Sequence, residues 1–184
     1  MNTISRKPNR GFTLIEALFA ILIFSAALVS LLAISSKGIA ATEQVKNETT
    51  AYYLAQEGLE VARNGRDTSF VQMAHGATGL AWTDSFAKTP SDCTNPVTPC
   101  YVDYQGGLSV PILVQGSGPA SYDVFQTASN QFSNQGVTPS GFSRTVEVLP
   151  TASPDEYTAL SKVAWTSKGV TRSVSLRTLL KRWQ

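Results

Sequence analysis

A single carboxylate, Glu16, lies in a run of apolar residues that has no other charge. Over residues 12–34 the only other polar side chains are Thr13, Ser25 and Ser30, and the run contains neither Gly nor Pro. An ionisable side chain in a membrane-spanning segment is costly, so it is retained mainly where it has a function. Glu16 is therefore the first candidate functional residue.

The segment around Glu16 has the length of a membrane span. At ~1.5 Å per residue, a helix over 12–34 reaches ~35 Å, compared with ~30 Å for the hydrocarbon core of a bilayer. Residues 1–11 contain three bases and no acid, so the formal net charge of +2 belongs to this leader. Because basic flanks stay in the cytoplasm, we expect a single-pass protein with its C-terminal body outside.

Three other interpretations of the apolar run compete with this one. A conventional secretory signal has a shorter apolar region. A plain signal anchor explains the length and the charge but leaves Glu16 without a role. A buried core helix is disfavoured by the basic leader.

Cys93 and Cys100 are the only cysteines, and they flank a Pro-containing stretch that favours a folded-back loop. Their spacing differs from CxxC, and no His lies nearby, which argues against a metal or redox motif. For a body outside the cytoplasm we predict a Cys93–Cys100 disulfide. The alternative is a pair of free thiols in a reducing compartment.

Residues for enzymatic chemistry are sparse. His75 is the only histidine, it stands beside Gly76, and no GxSxG elbow accompanies it. The chain has no P-loop, GxGxxG or HExxH motif. We therefore predict a non-enzymatic protein with no catalytic residue, no metal and no cofactor. Four bases near the C-terminus fit exposed strand positions better than a nucleic-acid site: Arg172, Arg177, Lys181 and Arg182.

The stretch Gly11-Phe12-Thr13-Leu14-Ile15-Glu16, with its basic leader and apolar continuation, resembles the N-terminal signature of type IV pilins and type II secretion pseudopilins. The resemblance implies cleavage after Gly11 by a membrane-embedded prepilin peptidase, and N-methylation of the new terminus, Phe12. It also implies partners: other pilin subunits in a helical filament, an inner-membrane assembly platform, and the lipid bilayer before assembly.

A role for Glu16 in assembly follows from that cleavage. The new α-amino group of Phe12 is a cation beside an apolar segment, and Glu16 of a neighbouring subunit can neutralise it. Such a pair favours one axial stagger, as a buried polar residue does in a coiled coil. Contacts that do not close into a ring generate a filament. Alternatively, the carboxylate snorkels to the membrane interface.

The elements that position these residues are an extended helix and a sheet. Apolar side chains recur at helical spacing at Val45, Tyr52, Ala55, Leu59 and Ala62, which predicts that the helix continues beyond the span. Asn64-Gly65 is a helix-stop signal.

Residues 65–100 are predicted to be an irregular, variable connection. Its expected packing anchors are Phe70, Trp82 and Phe86.

The C-terminal part predicts an antiparallel sheet. The candidate strands are Tyr101–Tyr104, Ser109–Gln115, Ser121–Gln126, Ser143–Leu149, Ala159–Thr166 and Val170–Leu179. A short hairpin loop is expected at Ser167-Lys168-Gly169. Leu179, Leu180 and Trp183 are expected to fold back over the sheet.

The predicted fold class is therefore α+β, a pilin fold with a long N-terminal helix packed on a C-terminal antiparallel sheet. The predicted divisions are a leader at 1–11, a helix at 12–64 with the membrane span at 12–34, and a globular domain at 65–184 with a variable loop at 65–100. The predicted function is that of a filament subunit.

Among filament subunits, a minor pilin is favoured. The apolar helix lacks the Gly and Pro of many major pilins, the connection is long, and residues 52–60 resemble minor pilins and small pseudopilins. A major pilin, a secretion pseudopilin, a DNA-uptake pilin and a membrane-anchored binding domain that never polymerises remain open.

Overall fold

The computed structural model describes residues 11–88, 92–104, 111–129, 131–134, 136 and 138–182. The helices are α1 (Leu14–Ala74) and α2 (Asp84–Ala87). The strands are β1 (Cys100–Asp103), β2 (Ile112–Gln115), β3 (Asp123–Gln126), β4 (Phe132–Ser133), β5 (Thr138–Pro150), β6 (Glu156–Ser167) and β7 (Val170–Lys181). A long N-terminal helix packed on an antiparallel sheet confirms the predicted fold class. By its internal contacts the chain divides into Met1–Gln44 and Val45–Gln184, which are described separately.

The described part of the N-terminal unit is helical from Leu14, and its large apolar side chains are exposed. The helix is long and apolar enough to cross a membrane. Its two serine hydroxyls within 12–34 are satisfied within the helix, because Ser25 Oγ donates to the Ile21 carbonyl (2.6 Å) and Ser30 Oγ to the Ala26 carbonyl (2.9 Å). Internal satisfaction of this kind is what a hydrocarbon environment requires.

In the C-terminal unit, α1 buries a stripe of mostly small residues against the sheet. Its buried residues are Ala51, Leu54, Ala55, Gly58, Leu59, Val61, Ala62 and Ser69. The predicted stripe was right for Ala55, Leu59 and Ala62. It was wrong for Val45 and Tyr52, whose side chains are exposed. Small side chains let the helix approach the sheet closely. Ala51 occupies the buried position, and Tyr52, the next residue, points away from the sheet.

The predicted helix end at Asn64-Gly65 differs from the structure, in which α1 continues to Ala74. Gly65 lies where α2 comes close, since a Cβ at this position would be 3.0 Å from Ser85 Cβ. The helix is terminated by a cap at Gly76, which has a positive φ of 86°. The Ala77 N–H donates to the Gln72 carbonyl (3.1 Å) and the Gly76 N–H to the Met73 carbonyl (3.0 Å), as in a Schellman cap.

The central strand of the sheet is β5, and every pairing is antiparallel. β6 lies on one side of β5 and pairs in turn with β7, whereas β1 and β3 both pair with the other side of β5. β1 also pairs with β2, and β3 with β4. Along β5, Phe142, Arg144, Val146 and Val148 are buried in alternation with less buried residues, so they form its core-facing side.

The strand bounds differ from the predictions mainly at strand starts. β5 begins at Thr138 rather than Ser143, because pairing with β3 extends it. β3 begins at Asp123, since Pro119–Tyr122 forms a 3-10 turn. The short β4 was not predicted. Residues 109 and 110 of the second predicted strand lie outside the described residues, as does Trp183.

The hairpin between β6 and β7 has a loop one residue shorter than predicted. Ser167 pairs with Val170, so only Lys168 and Gly169 form the turn. Both have positive φ, 51° and 77°, as a type I′ turn requires. Leu179 and Leu180 belong to β7 and do not fold back over the sheet, so this prediction was wrong for them. Leu180 is buried, whereas Leu179 is 43% exposed because its side of the strand faces solvent.

The predicted disulfide is present, with Cys93 Sγ bonded to Cys100 Sγ at 2.01 Å. Both cysteines are fully buried in a core cluster with Trp82 and Phe86, two of the predicted anchors. The third, Phe70, packs against this cluster. The Val148 N–H donates to the Cys93 carbonyl (2.9 Å), so the bridge ties the connection to β1 and β5. His75 is exposed in the cap after α1, as expected of a surface residue.

The tightest contact between α1 and the sheet is at Gly58. A Cβ at this position would lie 2.5 Å from Ser161 Oγ and 3.1 Å from Val146 Cγ2. Ser161 is fully buried, and its hydroxyl has no hydrogen-bond partner within the described residues. A side chain at residue 58 would therefore force Ser161 to move.

We predict that Gly58→Ala lowers the free energy of unfolding by about 1–3 kcal/mol, since overpacking forces neighbouring atoms to move. Chemical denaturation of the full-length protein in detergent measures this. Gly38→Ala is the matched control, because a Cβ at Gly38 in the same helix meets no atom within 4 Å. Adding Ser161→Gly to Gly58→Ala should restore part of the loss. Equal effects of the two Gly→Ala changes would contradict the close contact.

Candidate functional site

The start of α1 is capped by Thr13. The Thr13 hydroxyl oxygen accepts a hydrogen bond from the Glu16 N–H (3.4 Å). The Thr13 carbonyl accepts from the N–H groups of Glu16 (3.1 Å) and Ala17 (3.2 Å). A Thr followed three residues later by Glu is the capping-box spacing, and it places an acid in the first turn, where the helix dipole favours negative charge.

Sequence reasoning assigned no role to Thr13. The signal that would have found it is the Thr-x-x-Glu spacing directly before an apolar run. The structure therefore gives Glu16 a local reason to lie in this turn in addition to any role between subunits.

The residues predicted for cleavage and assembly are all accessible to solvent. Gly11 and Phe12 precede the helix and are not helical themselves. Phe12 is 76% exposed, and Glu16 is exposed as well. Within the described residues no cation pairs with the Glu16 carboxylate. The Gly11–Phe12 bond therefore lies before a capped helix, and the Glu16 carboxylate is accessible to a cation.

The prokaryotic N-terminal methylation motif matches residues 6–32. This match supports membership of the type IV pilin and pseudopilin family. It includes Gly11, Phe12 and Glu16. Comparison with curated proteins and with solved structures gave no significant match.

The methylation motif implies a structural rather than an enzymatic family, with assembly alongside other pilin subunits and processing by a prepilin peptidase. Together with the apolar helix it points to membrane anchoring.

A second cluster of polar residues, which sequence reasoning missed, lies between α1 and the sheet. Arg144 is almost fully buried and donates to Glu57 Oε2 (2.6 Å) and to the Leu54 carbonyl (3.2 Å). The Tyr104 hydroxyl donates to Glu57 Oε1 and lies 3.4 Å from Arg144 Nη2. The signal in the sequence is an Arg at a core-facing position of β5, which requires a partner because a buried charge is costly when it is unpaired.

This cluster joins the helix to two strands and is satisfied within itself. Tyr104 follows β1, and its N–H donates to Asn134 Oδ1 (3.2 Å), while Asn134 Nδ2 donates to Asp103 Oδ1 (2.9 Å). The network thus extends to the residue after β4. Its chemistry is that of an anchor, because each charged or hydroxyl group at its centre is already paired.

Burial raises the pKa of the Tyr104 hydroxyl to about 12. The Arg144 charge lowers this pKa, and the hydrogen bond to Glu57 raises it. Because the folded state prefers the neutral phenol, the resulting stabilisation is complete below the unfolded pKa of about 10. It is lost as the pH rises through the folded pKa.

We predict that a tyrosinate absorbance titration contains one component near pH 12, which Tyr104→Phe removes. A rapid pH jump reads the phenol before alkaline unfolding intervenes. Tyr53→Phe is the control, because Tyr53 is 66% exposed and its loss should leave this component in place. A component near pH 12 that survives Tyr104→Phe would contradict the assignment.

Proposed function

We propose that this chain is a structural subunit of a type IV pilus-type filament, processed after Gly11 and N-methylated at Phe12. The observation that carries the proposal is the methylation motif at residues 6–32, which holds a cleavable junction and an acid without an intramolecular partner among the described residues. Enzymatic activity forms no part of this proposal.

In the proposed mechanism the apolar part of α1 first resides in the bilayer, with the basic leader in the cytoplasm. Cleavage creates the α-amino group of Phe12. That cation pairs with Glu16 of a neighbouring subunit as the helices leave the lipid and pack together. Since each subunit has one donor end and one acceptor, the contact is heterologous and propagates as a filament.

The neutralisation of two charges is what selects one stagger between subunits. Helices that slide past this stagger leave a carboxylate and an ammonium unpaired in an apolar environment, which costs several kcal/mol. The exposed apolar side chains of residues 12–34 provide the remaining contact area but no register of their own.

Within the family we favour a minor pilin. The apolar run lacks Pro and Gly, and α1 is continuous through it, so it has no built-in site at which the helix melts on assembly. A major pilin and a secretion pseudopilin share the same N-terminal chemistry. The copy number relative to other pilins in purified filaments distinguishes a minor from a major subunit.

The main alternative of another class is a membrane-anchored binding domain that never polymerises. Such a domain explains the membrane span and a C-terminal unit outside the membrane, but it gives Glu16 no function. The predictions below separate the two.

Intact-mass spectrometry of the protein from cells that contain a prepilin peptidase should give a chain that begins at Phe12 and carries one added methyl group. Gly11→Val should block the cut, because it places a branched side chain at the scissile bond, and should leave the leader attached. A wild-type chain that still begins at residue 1 would overturn the processing proposal.

Glu16→Ala should reduce incorporation into filaments by about tenfold or more, since removing one partner of a buried ion pair costs 2–5 kcal/mol. Quantitative immunoblotting of sheared filaments measures the incorporation. Glu43→Ala removes another exposed acid of α1 and should have no effect. Processing at Gly11 should be unchanged in both variants. Normal incorporation of Glu16→Ala would contradict the pairing of Glu16 with a neighbouring N-terminus. Absence of the wild-type chain from filaments would favour the binding domain that never polymerises.

A further inference from the structure

The last strand, β7, leaves one of its two sides unpaired. Within the described residues it pairs only with β6. The register runs without a bulge from Glu156↔Lys181 to Ser167↔Val170. The strand contains neither Pro nor Gly. Natural edge strands are usually short, bulged, interrupted by Pro or covered, because an open edge is a template for another strand.

The tight turn defines which backbone groups are free. In a two-residue hairpin the flanking pair, here Ser167 and Val170, is hydrogen-bonded, and hydrogen-bonded and non-hydrogen-bonded pairs then alternate. The Arg182 N–H donates to the Asp155 carbonyl (2.9 Å), which fits the same alternation at the other end. The residues that direct their N–H and C=O groups to the open side are therefore Thr171, Ser173, Ser175, Arg177, Leu179 and Lys181.

The open side is also basic. Residues 157–182 contain no acid, and their bases are Lys162, Lys168, Arg172, Arg177, Lys181 and Arg182. The last two are neutralised locally, because Lys181 Nζ lies 2.7 Å from Glu156 and Arg182 Nη1 lies 3.5 Å from Asp155. Arg172 and Arg177 are exposed on β7 and have no acidic partner within the described residues.

We propose that the open side of β7 binds an extended, acidic segment of a partner polypeptide as an added strand. Main-chain hydrogen bonds supply the attraction in this mode of recognition, and side chains select the partner. Arg172 and Arg177 favour carboxylates on the added strand, because opposite charges across strands attract and like charges repel. The inference does not depend on the filament function.

A second copy of β7 is a poor occupant by the same argument. In an antiparallel pairing of two β7 strands, directly opposite residues share one face of the sheet, so some registers place Arg172 opposite Arg172 or Arg177 opposite Arg177. Like charges directly opposite one another are destabilising. In no register does a second copy offer a carboxylate to these arginines, because β7 contains no acid, so the edge favours an acidic strand over a second copy of itself.

The test uses full-length protein in nonionic detergent and a fluorescein-labelled peptide of alternating Thr and Glu, as long as the 12 residues of β7. Fluorescence anisotropy should show binding at about 50 mM salt that weakens strongly at about 0.5 M, because exposed charges are screened. A peptide with Lys in place of Glu should not bind.

Ser175→Pro removes one free N–H without breaking a bond to β6, since Pro is tolerated on the open side of an edge strand. It should weaken binding by about tenfold, the equivalent of ~1.4 kcal/mol, whereas Ser175→Ala, which keeps the N–H, should not. The Thr-Glu peptide with N-methylated Glu residues applies the same test to the wild-type protein, because a Glu opposite Arg177 directs its N–H toward β7. This result does not depend on how well Ser175→Pro folds.

Arg177→Glu should weaken the binding of the acidic peptide and strengthen the binding of the Lys peptide. Lys46→Glu makes the same charge change at an exposed position of α1 and should alter the binding of neither peptide. Absence of binding at low salt would overturn the proposal. Binding that is unaffected by both Ser175→Pro and N-methylation, and that duplex DNA displaces, would also overturn it and would identify the face as a general polyanion surface.

Discussion

The contact between Gly58 of α1 and Ser161 of β6 controls how the C-terminal unit packs. Ala51, Ala55 and Ala62 are buried on α1 together with Gly58, and these small residues let the helix backbone approach the sheet. The cost is a buried hydroxyl on Ser161 that has no hydrogen-bond partner within the described residues. Farther along the helix larger groups fill the space, with the disulfide and the aromatic rings around Trp82 in one core cluster.

The protein treats two glutamates of the same helix in opposite ways. Glu57 is paired within its own chain, because Arg144 and Tyr104 both reach its carboxylate. Glu16 lies among exposed apolar side chains and has no such partner within the described residues. The first pair anchors the helix on the sheet. In the proposed filament, the second carboxylate pairs with the N-terminus that the proposed cleavage at the methylation motif creates on another subunit.

The two proposed binding surfaces are thus defined by groups without a partner within the described residues rather than by a concave pocket. At the N-terminus the unpaired group is a carboxylate on an apolar helix. At β7 it is a row of backbone N–H and C=O groups flanked by arginines. In each case charge selects the partner, because hydrophobic contact and strand pairing by themselves tolerate many registers and many partners.

Local patterns in the sequence were enough for the N-terminal motif, the membrane-length helix, the disulfide and the fold class. Gly11, Phe12 and Glu16 lie within six residues, Cys93 and Cys100 share one loop, and alternation along the strands shows directly in residue order. The stop at Asn64-Gly65 was misread, because Gly65 serves a contact with α2 that lies far away in sequence. The Arg144–Glu57–Tyr104 cluster was missed for the same reason.

Only the tertiary structure decided that Val45 and Tyr52 lie outside the buried helix face, where α1 ends and that β7 has an open side. Each depends on the distance between backbone segments separated by many residues. Short-range propensity and spacing carry no information about that distance, so these features emerge only once the helix and the strands are packed together.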